Sequence, residues 1–121
     1  MGAGLMIITI GLAAFAVDLG YVYVKSRELQ GTADLAAMSA AANLGTASDA
    51  AQTVVLANGR GDAIAVTTQT GFYDASVSQI PAARFKVTPV ADANAARVTL
   101  SQDAGLFFGR ILGQNTAHIT R

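Results

Sequence analysis

Apolar residues occupy the start of the chain without interruption. Residues Met1 to Val17 carry no charged side chain, Asp18 is the first charge, and Leu19 to Val24 are again uncharged before Lys25. A helix crosses a bilayer core with about 20 apolar residues, within a range of roughly 17–25. The segment is therefore just long enough to lie in lipid if Asp18 marks the interface.

The helical pattern continues beyond this segment. No proline occurs before Leu44, the glycines are single and widely spaced, and Ala33 to Ala42 is mostly alanine, the strongest helix former. The pattern predicts one helix from about Ala3 to Leu44, with Gly45 as its C-terminal stop. At 1.5 Å per residue such a helix is roughly 60 Å long.

A second, shorter helix is expected next. Ser48 can cap a helix from about Asp49 to Ala57, which Asn58-Gly59 would end. The apolar residues expected to face the rest of the fold are Ala50, Val54, Val55 and Leu56.

Short β-branched and aromatic runs then predict strands. They are Ala63–Gln69, Gly71–Tyr73, Phe85–Val90, Arg97–Ser101 and Thr116–Thr120. Asp92 to Asn94 is expected to connect two antiparallel strands, and Leu106 to Leu112 to form a short helical or looped segment.

These elements predict an α+β, pilin-like fold. Residues 1–45 would form the long helix, and residues 46–121 an α+β head with an antiparallel sheet of about four strands. One apolar face of the sheet would be covered by the helix and by Phe107, Phe108 and Ile111.

Composition narrows the function. The 121 residues fit one domain and are 52% hydrophobic but only 13% charged, against about 25% in soluble domains. Much of the surface should therefore face lipid or other copies of the chain. Eight basic and eight acidic residues give no net charge and no basic patch, which argues against nucleic acid as a partner. The absence of cysteine excludes disulfides and thiolate metal sites.

Candidate catalytic chemistry is sparse. His118 is the single histidine, the aspartates are dispersed, and Gly59-Arg60-Gly61 lacks the lysine and setting of a phosphate-binding loop, so a turn is expected there. We therefore expect no enzyme activity, no cofactor and no metal.

Small residues recur four apart along the long helix, in rows that let helix backbones approach closely. The helix-packing and assembly candidates are Gly11, Ala16, Asp18, Gly20, Ala33, Ala36, Ala37, Ala40 and Ala41. Asp18 has two interpretations. It marks the membrane boundary ahead of an aromatic belt of Tyr21 and Tyr23, or it makes a buried registry contact with a neighbouring subunit.

The apolar start itself has three interpretations. A signal peptide would use Leu5 to Ala13 as its apolar region and Ala14-Phe15-Ala16 as its cleavage site, but lacks a basic start. An ordinary anchor normally has flanking lysines or arginines. A pilin-type helix, held by lipid before assembly and by other helices afterwards, is the third, and a basic leader removed before position 1 would fit it.

Two stretches resemble TadE/TadG-like proteins of the Flp (tight adherence) pilus system. Within Ala14 to Leu44 the matching residues are Val17, Asp18, Gly20, Tyr21, Leu29, Gln30, Ala33, Asp34, Ala36, Ala37, Ala40 and Ala41. Within Ala96 to Leu112 the match is a strand with R-V-T followed by L-F-F-x-R-x-L. The resemblance implies an envelope-anchored or exported pilus-associated protein. Leu5 stands where many type IV-like pilins have a glutamate.

The expected function is a structural subunit of an extracellular pilus-like filament, assembled through its apolar helix. Its partners would be copies of itself, the membrane before assembly, and the pilus assembly machinery. It would reach the cell surface by way of the inner membrane. The alternative is a single-pass membrane-anchored accessory protein of Tad/Flp pilus assembly.

Overall fold

The computed structural model describes residues 2–59 and 64–121, and within them the predicted α+β architecture is confirmed. The helices and strands are α1 (Gly2–Ala42), α2 (Ala47–Asn58), β1 (Ile64–Tyr73), β2 (Phe85–Val87), β3 (Ala95–Gly105) and β4 (Thr116–Thr120). Short 3-10 turns lie at Leu44–Thr46, Pro81–Ala83, Val90–Asp92 and Gly109–Leu112. Arg60 and Gly61 of the predicted turn, and Ala63 at the predicted start of a strand, lie outside the described residues. The division into residues 1–45 and 46–121 stays a prediction.

The long helix α1 is continuous over 41 residues but ends before the predicted stop. Asn43 leaves the helix at φ −133° and ψ 57°, and its side-chain Nδ2 donates to the Ser39 carbonyl at 3.0 Å. Asn43 therefore satisfies a carbonyl that the helix end leaves unpaired. The prediction of Gly45 as the stop was wrong, because α1 ends at Ala42 and Gly45 lies in the 3-10 turn Leu44–Thr46. Among the described residues, the glycine with positive φ is Gly113.

Helix α2 begins two residues before its predicted start. It follows Thr46, whose side chain makes no cap hydrogen bond, so Ser48 lies inside the first turn and the predicted Ser48 cap was wrong. The short connection after α1 folds α2 back onto α1, and Ala47, Ala51 and Val55 become buried. Leu56 is 73% exposed, so its predicted inward position was also wrong.

The sheet has four strands in the order β2-β1-β3-β4, and every neighbouring pair is antiparallel. The predicted strands Ala63–Gln69 and Gly71–Tyr73 belong to the single strand β1, whereas Phe85–Val90 is shortened to β2. The predicted last strand, Thr116–Thr120, is confirmed as β4.

The connection at Asp92–Asn94 links β2 to β3, but these strands are not neighbours because β1 lies between them. Asn94 instead bonds to the end of β1. Its Oδ1 accepts from the Tyr73 N–H at 2.6 Å, and its Nδ2 donates to the Tyr73 carbonyl at 3.1 Å. The Asn94 side chain thereby forms both hydrogen bonds that a residue of a neighbouring strand would form with the Tyr73 backbone.

One face of the sheet packs against both helices and forms the core. The buried residues are Leu29, Ala33, Ala36 and Ala40 of α1, Ala47, Ala51 and Val55 of the α2 region, and Val98, Leu100, Ala104 and Ile119 of the sheet. Leu29 and Leu100 are the largest fully buried side chains, and alanine fills most other helical positions. Because alanine is small, α2 and β3 both approach the α1 backbone closely.

The predicted cover of Phe107, Phe108 and Ile111 over the sheet was wrong. All three side chains are exposed, and the segment that carries them lies beside the first half of α1. The face of the sheet away from the helices is polar, with opposed pairs such as Thr67 and Thr99.

We predict that the Ala36→Leu variant destabilises the fold and that Ala41→Leu does not. Ala36 is 0% exposed in the core, so a larger side chain overpacks it at a cost of about 1–3 kcal/mol. Ala41 is exposed on the same helix and serves as the matched control. Urea unfolding of the full chain in a mild detergent measures both, and equal midpoints for the two variants would contradict the assigned core.

Candidate functional site

The segment between β3 and β4, residues 106–115, is here called the docking loop. Its two ends are joined by the Leu106 N–H, which donates to the Asn115 carbonyl at 2.9 Å. Its middle is the 3-10 turn Gly109–Leu112. The loop lies against α1 far from it in sequence, because β3 is held on the second half of the same helix.

Asp18 holds the docking loop on α1. Its Oδ1 accepts from the Phe107 N–H at 2.9 Å, and its Oδ2 accepts from the Gly109 N–H at 2.7 Å. The Phe108 N–H lies between, at 3.2 Å from Oδ1 and 3.0 Å from Oδ2. The first N–H groups of a helical turn have no internal acceptor and favour negative charge, so a carboxylate is a suitable cap.

The Asp18 side chain is thus satisfied within its own chain and is only 6% exposed. The sequence offered two interpretations of Asp18: a charge at the membrane boundary, or a buried contact with a neighbouring subunit. In the structure Asp18 makes a buried contact, and its partner is the docking loop of the same chain. A carboxylate at the end of an apolar helix is costly unless it is paired. The docking loop supplies that pairing.

Two glycines allow the loop its shape. A Cβ at Gly109 would lie 2.8 Å from Leu106 Cδ1 and 3.0 Å from the Gln114 carbonyl oxygen. Gly113 has φ +81°, a left-handed conformation that side chains rarely adopt. The pattern L-F-F-G-R-I-L-G is therefore the sequence of a compact loop.

Aromatic and apolar contacts extend the interface on both sides of Asp18. Towards the head, the rings of Tyr21 and Phe107 meet edge to face with centroids 5.4 Å apart. Towards the N-terminus, Gly11 and Phe15 of α1 face Ile111 and Leu112 across an apolar cavity of about 170 Å³. The loop therefore lies along α1 from Tyr21 to the level of Gly11.

A second long-range polar contact joins the C-terminus to α1. Arg121 donates from Nε to the Ser26 hydroxyl at 2.9 Å, and its guanidinium Nη2 contacts the same oxygen. Ser26 is buried, and the Arg121 backbone pairs with Leu100 of β3. This contact fixes the end of β4 against the helix.

The residues predicted for helix packing fall into two groups. Buried or partly buried within the chain are Asp18, Ala33, Ala36, Ala37 and Ala40. Exposed are Gly11, Ala16, Gly20 and Ala41. Gly11 lines the cavity beside the docking loop, whereas Ala16 and Gly20 are each two residues from Asp18 and so lie on the opposite side of the helix.

Sequence reasoning missed the partners of Asp18 and the pair of Ser26 and Arg121. Backbone N–H groups have no side-chain signature, and the partners are 89–95 residues apart in sequence. A signal was present in residues 106–113, L-F-F-G-R-I-L-G, because the two glycines indicate a compact loop.

The first part of α1 is largely exposed, and among the described residues the docking loop is the part of the head that lies beside it. It contains an 18-residue window that is long and apolar enough to cross a membrane, and only 6% of that window is buried. Buried core helices and signal sequences can be equally long and apolar, but the low burial distinguishes this part of α1 from a core helix.

Among the described residues, no group of three or more histidine, cysteine, aspartate or glutamate side chains could hold a metal ion. The His118 ring Nδ1 lies 2.8 Å from Asp103 Oδ1 on the exposed face of the sheet. The two residues are directly opposed on β3 and β4 and act as a cross-strand pair.

Comparison with known proteins gives one family. Residues 26–120 match the model of the Tad_C family, described as "Putative Tad-like Flp pilus-assembly". The match covers most of α1 beyond the apolar segment, α2 and the whole sheet with its docking loop. No curated protein and no solved structure matches the chain.

We predict that the Asp18→Ala variant releases the docking loop. Three N–H groups lose their charged acceptor, so hydrogen exchange at Phe107, Phe108 and Gly109 should become at least about tenfold faster. Asp18→Asn keeps the size and one acceptor oxygen, and should show an intermediate effect.

The matched control is Asp103→Asn, which removes a carboxylate from the exposed side of the sheet. Hydrogen exchange with mass spectrometry on the full chain in detergent measures all three variants. Unchanged exchange in Asp18→Ala would show that the carboxylate does not hold the loop.

Proposed function

Because the chain belongs to the Tad_C family of Tad-like Flp pilus-assembly proteins, we propose that it is a single-pass, membrane-anchored component of the pilus assembly machinery. In this proposal the apolar start of α1 is the anchor, and the α+β head lies at the membrane surface in the cell envelope. The function is structural, through contacts with the membrane and with other pilus components.

The observation that carries this proposal is the exposed, apolar first part of α1, which continues into the part of the helix on which the head is packed. Residues 2–17 are uncharged, and apart from half-buried Ala14 their side chains are exposed. At 1.5 Å per residue they are about 24 Å long, close to the bilayer core thickness of about 30 Å. Such a surface is unfavourable in water and favourable in lipid.

Residues just beyond Asp18 suit the membrane interface. Tyr23 is exposed, Tyr21 is half-buried, and Lys25 lies 5.9 Å from the Tyr21 ring centroid. Aromatic and basic side chains are common at this depth. Asp18 is the first buried residue of α1, so the packed part of the head is in position to lie at the membrane surface.

A filament subunit is the second candidate, and it too is a proposal. The exposed pair Ala16 and Gly20 favours it, because small residues four apart on an uncovered helix face allow a second helix to approach. Ala33, Ala36 and Ala40 do not support the filament candidate, because they are buried under α2 and β3 and cannot contact a second chain.

We predict that the Ile8→Asp variant loses stable membrane association. Ile8 is 62% exposed in the middle of the apolar segment, and an aspartate there costs about 3 kcal/mol in lipid, or about a hundredfold in partition. Leu56→Asp, at a similarly exposed position on α2, should behave like the unmodified chain. Membrane fractions washed with alkaline carbonate and probed by immunoblot give the readout.

A second prediction separates the two candidates. If the chain is an anchored component, Gly20→Leu leaves its detergent-dependent, low-mass state unchanged, because a Cβ at Gly20 meets no atom within 4 Å. If it is a filament subunit, the native protein is a very large particle without detergent and Gly20→Leu abolishes it. Gly31→Leu, which also meets open space, is the control. Light scattering and negative-stain imaging distinguish the outcomes.

A further inference from the structure

We propose that the docking loop is itself inserted in the membrane, in the same leaflet as the end of the anchor that it contacts. This rests on the proposed membrane anchor and adds a second lipid-contacting element. Its partner is the lipid bilayer, and its tip is Ile111 and Leu112.

The depth follows from the position of the loop along α1. The loop is fixed at Asp18, and its tip residues Ile111 and Leu112 line one cavity with Gly11, which is seven residues nearer the N-terminus. At 1.5 Å per residue the tip lies about 10 Å below Asp18, within one leaflet of a core about 30 Å thick.

The side chains at the tip fit a lipid environment. Ile111 is 81% exposed and Leu112 is 84% exposed, and both lie beside an equally exposed apolar helix surface. Phe107 and Phe108 are exposed where the loop meets Asp18. The result is one continuous apolar surface formed by two segments far apart in sequence.

The backbone of the loop is also suited to a site without water. Three N–H groups donate to Asp18, and four more, those of Leu106, Ile111, Gly113 and Gln114, donate to carbonyls of the loop itself. Irregular backbone is costly in lipid because unpaired N–H groups cannot bond to water. At least seven of the ten backbone N–H groups in residues 106–115 are therefore paired within the chain.

Arg110 is compatible with this placement. It is exposed beside the tip, and its long side chain can extend to the lipid phosphates while its methylene groups stay among the acyl chains. Asp18 lies at the upper limit of the inserted region, where its three N–H partners replace water.

A second copy of the chain is the other occupant that could cover this surface. Lipid is favoured because the tip is continuous with the proposed anchor and lies at the depth of its residues 11–15. A protein partner would have to enter the bilayer to reach it.

The chain contains no tryptophan, so single-tryptophan variants report on single positions. The full chain is reconstituted in phosphatidylcholine vesicles with brominated acyl chains, and tryptophan fluorescence is measured. The L112W variant tests the tip, and I8W tests the anchor. V77W, at a position in the head that is 97% exposed, is the water-facing control.

The expected result is blue-shifted emission and strong bromine quenching in L112W and I8W, with neither in V77W. Quenching in I8W but not in L112W would overturn the inserted loop and leave the anchor standing. No quenching in either would overturn both. A blue shift in L112W that bromine does not quench would assign the surface to a second copy and also reject the proposal.

Discussion

The contact between Asp18 and the docking loop fixes the head on α1 at the boundary of the apolar segment. A single carboxylate at the end of an uncharged helix segment accepts three successive N–H groups from the Phe107–Gly109 backbone. Without these donors, a buried charge next to an apolar segment would be unfavourable. Without the carboxylate, the first turn of the loop would have unpaired N–H groups. The Asp18 carboxylate and the three N–H groups of the loop therefore stabilise each other in this buried position.

The remainder of the fold brings these groups together. Alanines in the second half of α1 allow α2 and β3 to pack closely on the helix, and β3 then carries the loop back along α1. The contact between Ser26 and Arg121 holds the end of β4 at the same helix face. The head is thus fixed to one stripe of α1 that runs from Ala40 to Asp18. Beyond Asp18 only the loop accompanies the helix.

This arrangement relates the fold to its place in a pilus assembly family. The head contacts α1 at Asp18, where the apolar segment ends, and in the proposed function this contact sets the height of the head above the membrane. The docking loop lies beside one side of the helix near Gly11, and Ala16 and Gly20 are exposed on the other side. In the proposed function, the side with Ala16 and Gly20 is the one available to a second helix.

The sequence by itself determined the long helix, the α+β class and the last strand, because these depend on local periodicity and helix propensity. It also indicated the family resemblance through residues spread over both halves of the chain. The tertiary structure decided which alanines pack inside the chain, where Leu56 and the loop aromatics lie, and that β1 separates β2 from β3. It alone revealed the partners of Asp18, because backbone N–H groups are the same in every residue but proline. Which of them meet a carboxylate depends on the packing of strands onto a helix about 90 residues away in sequence.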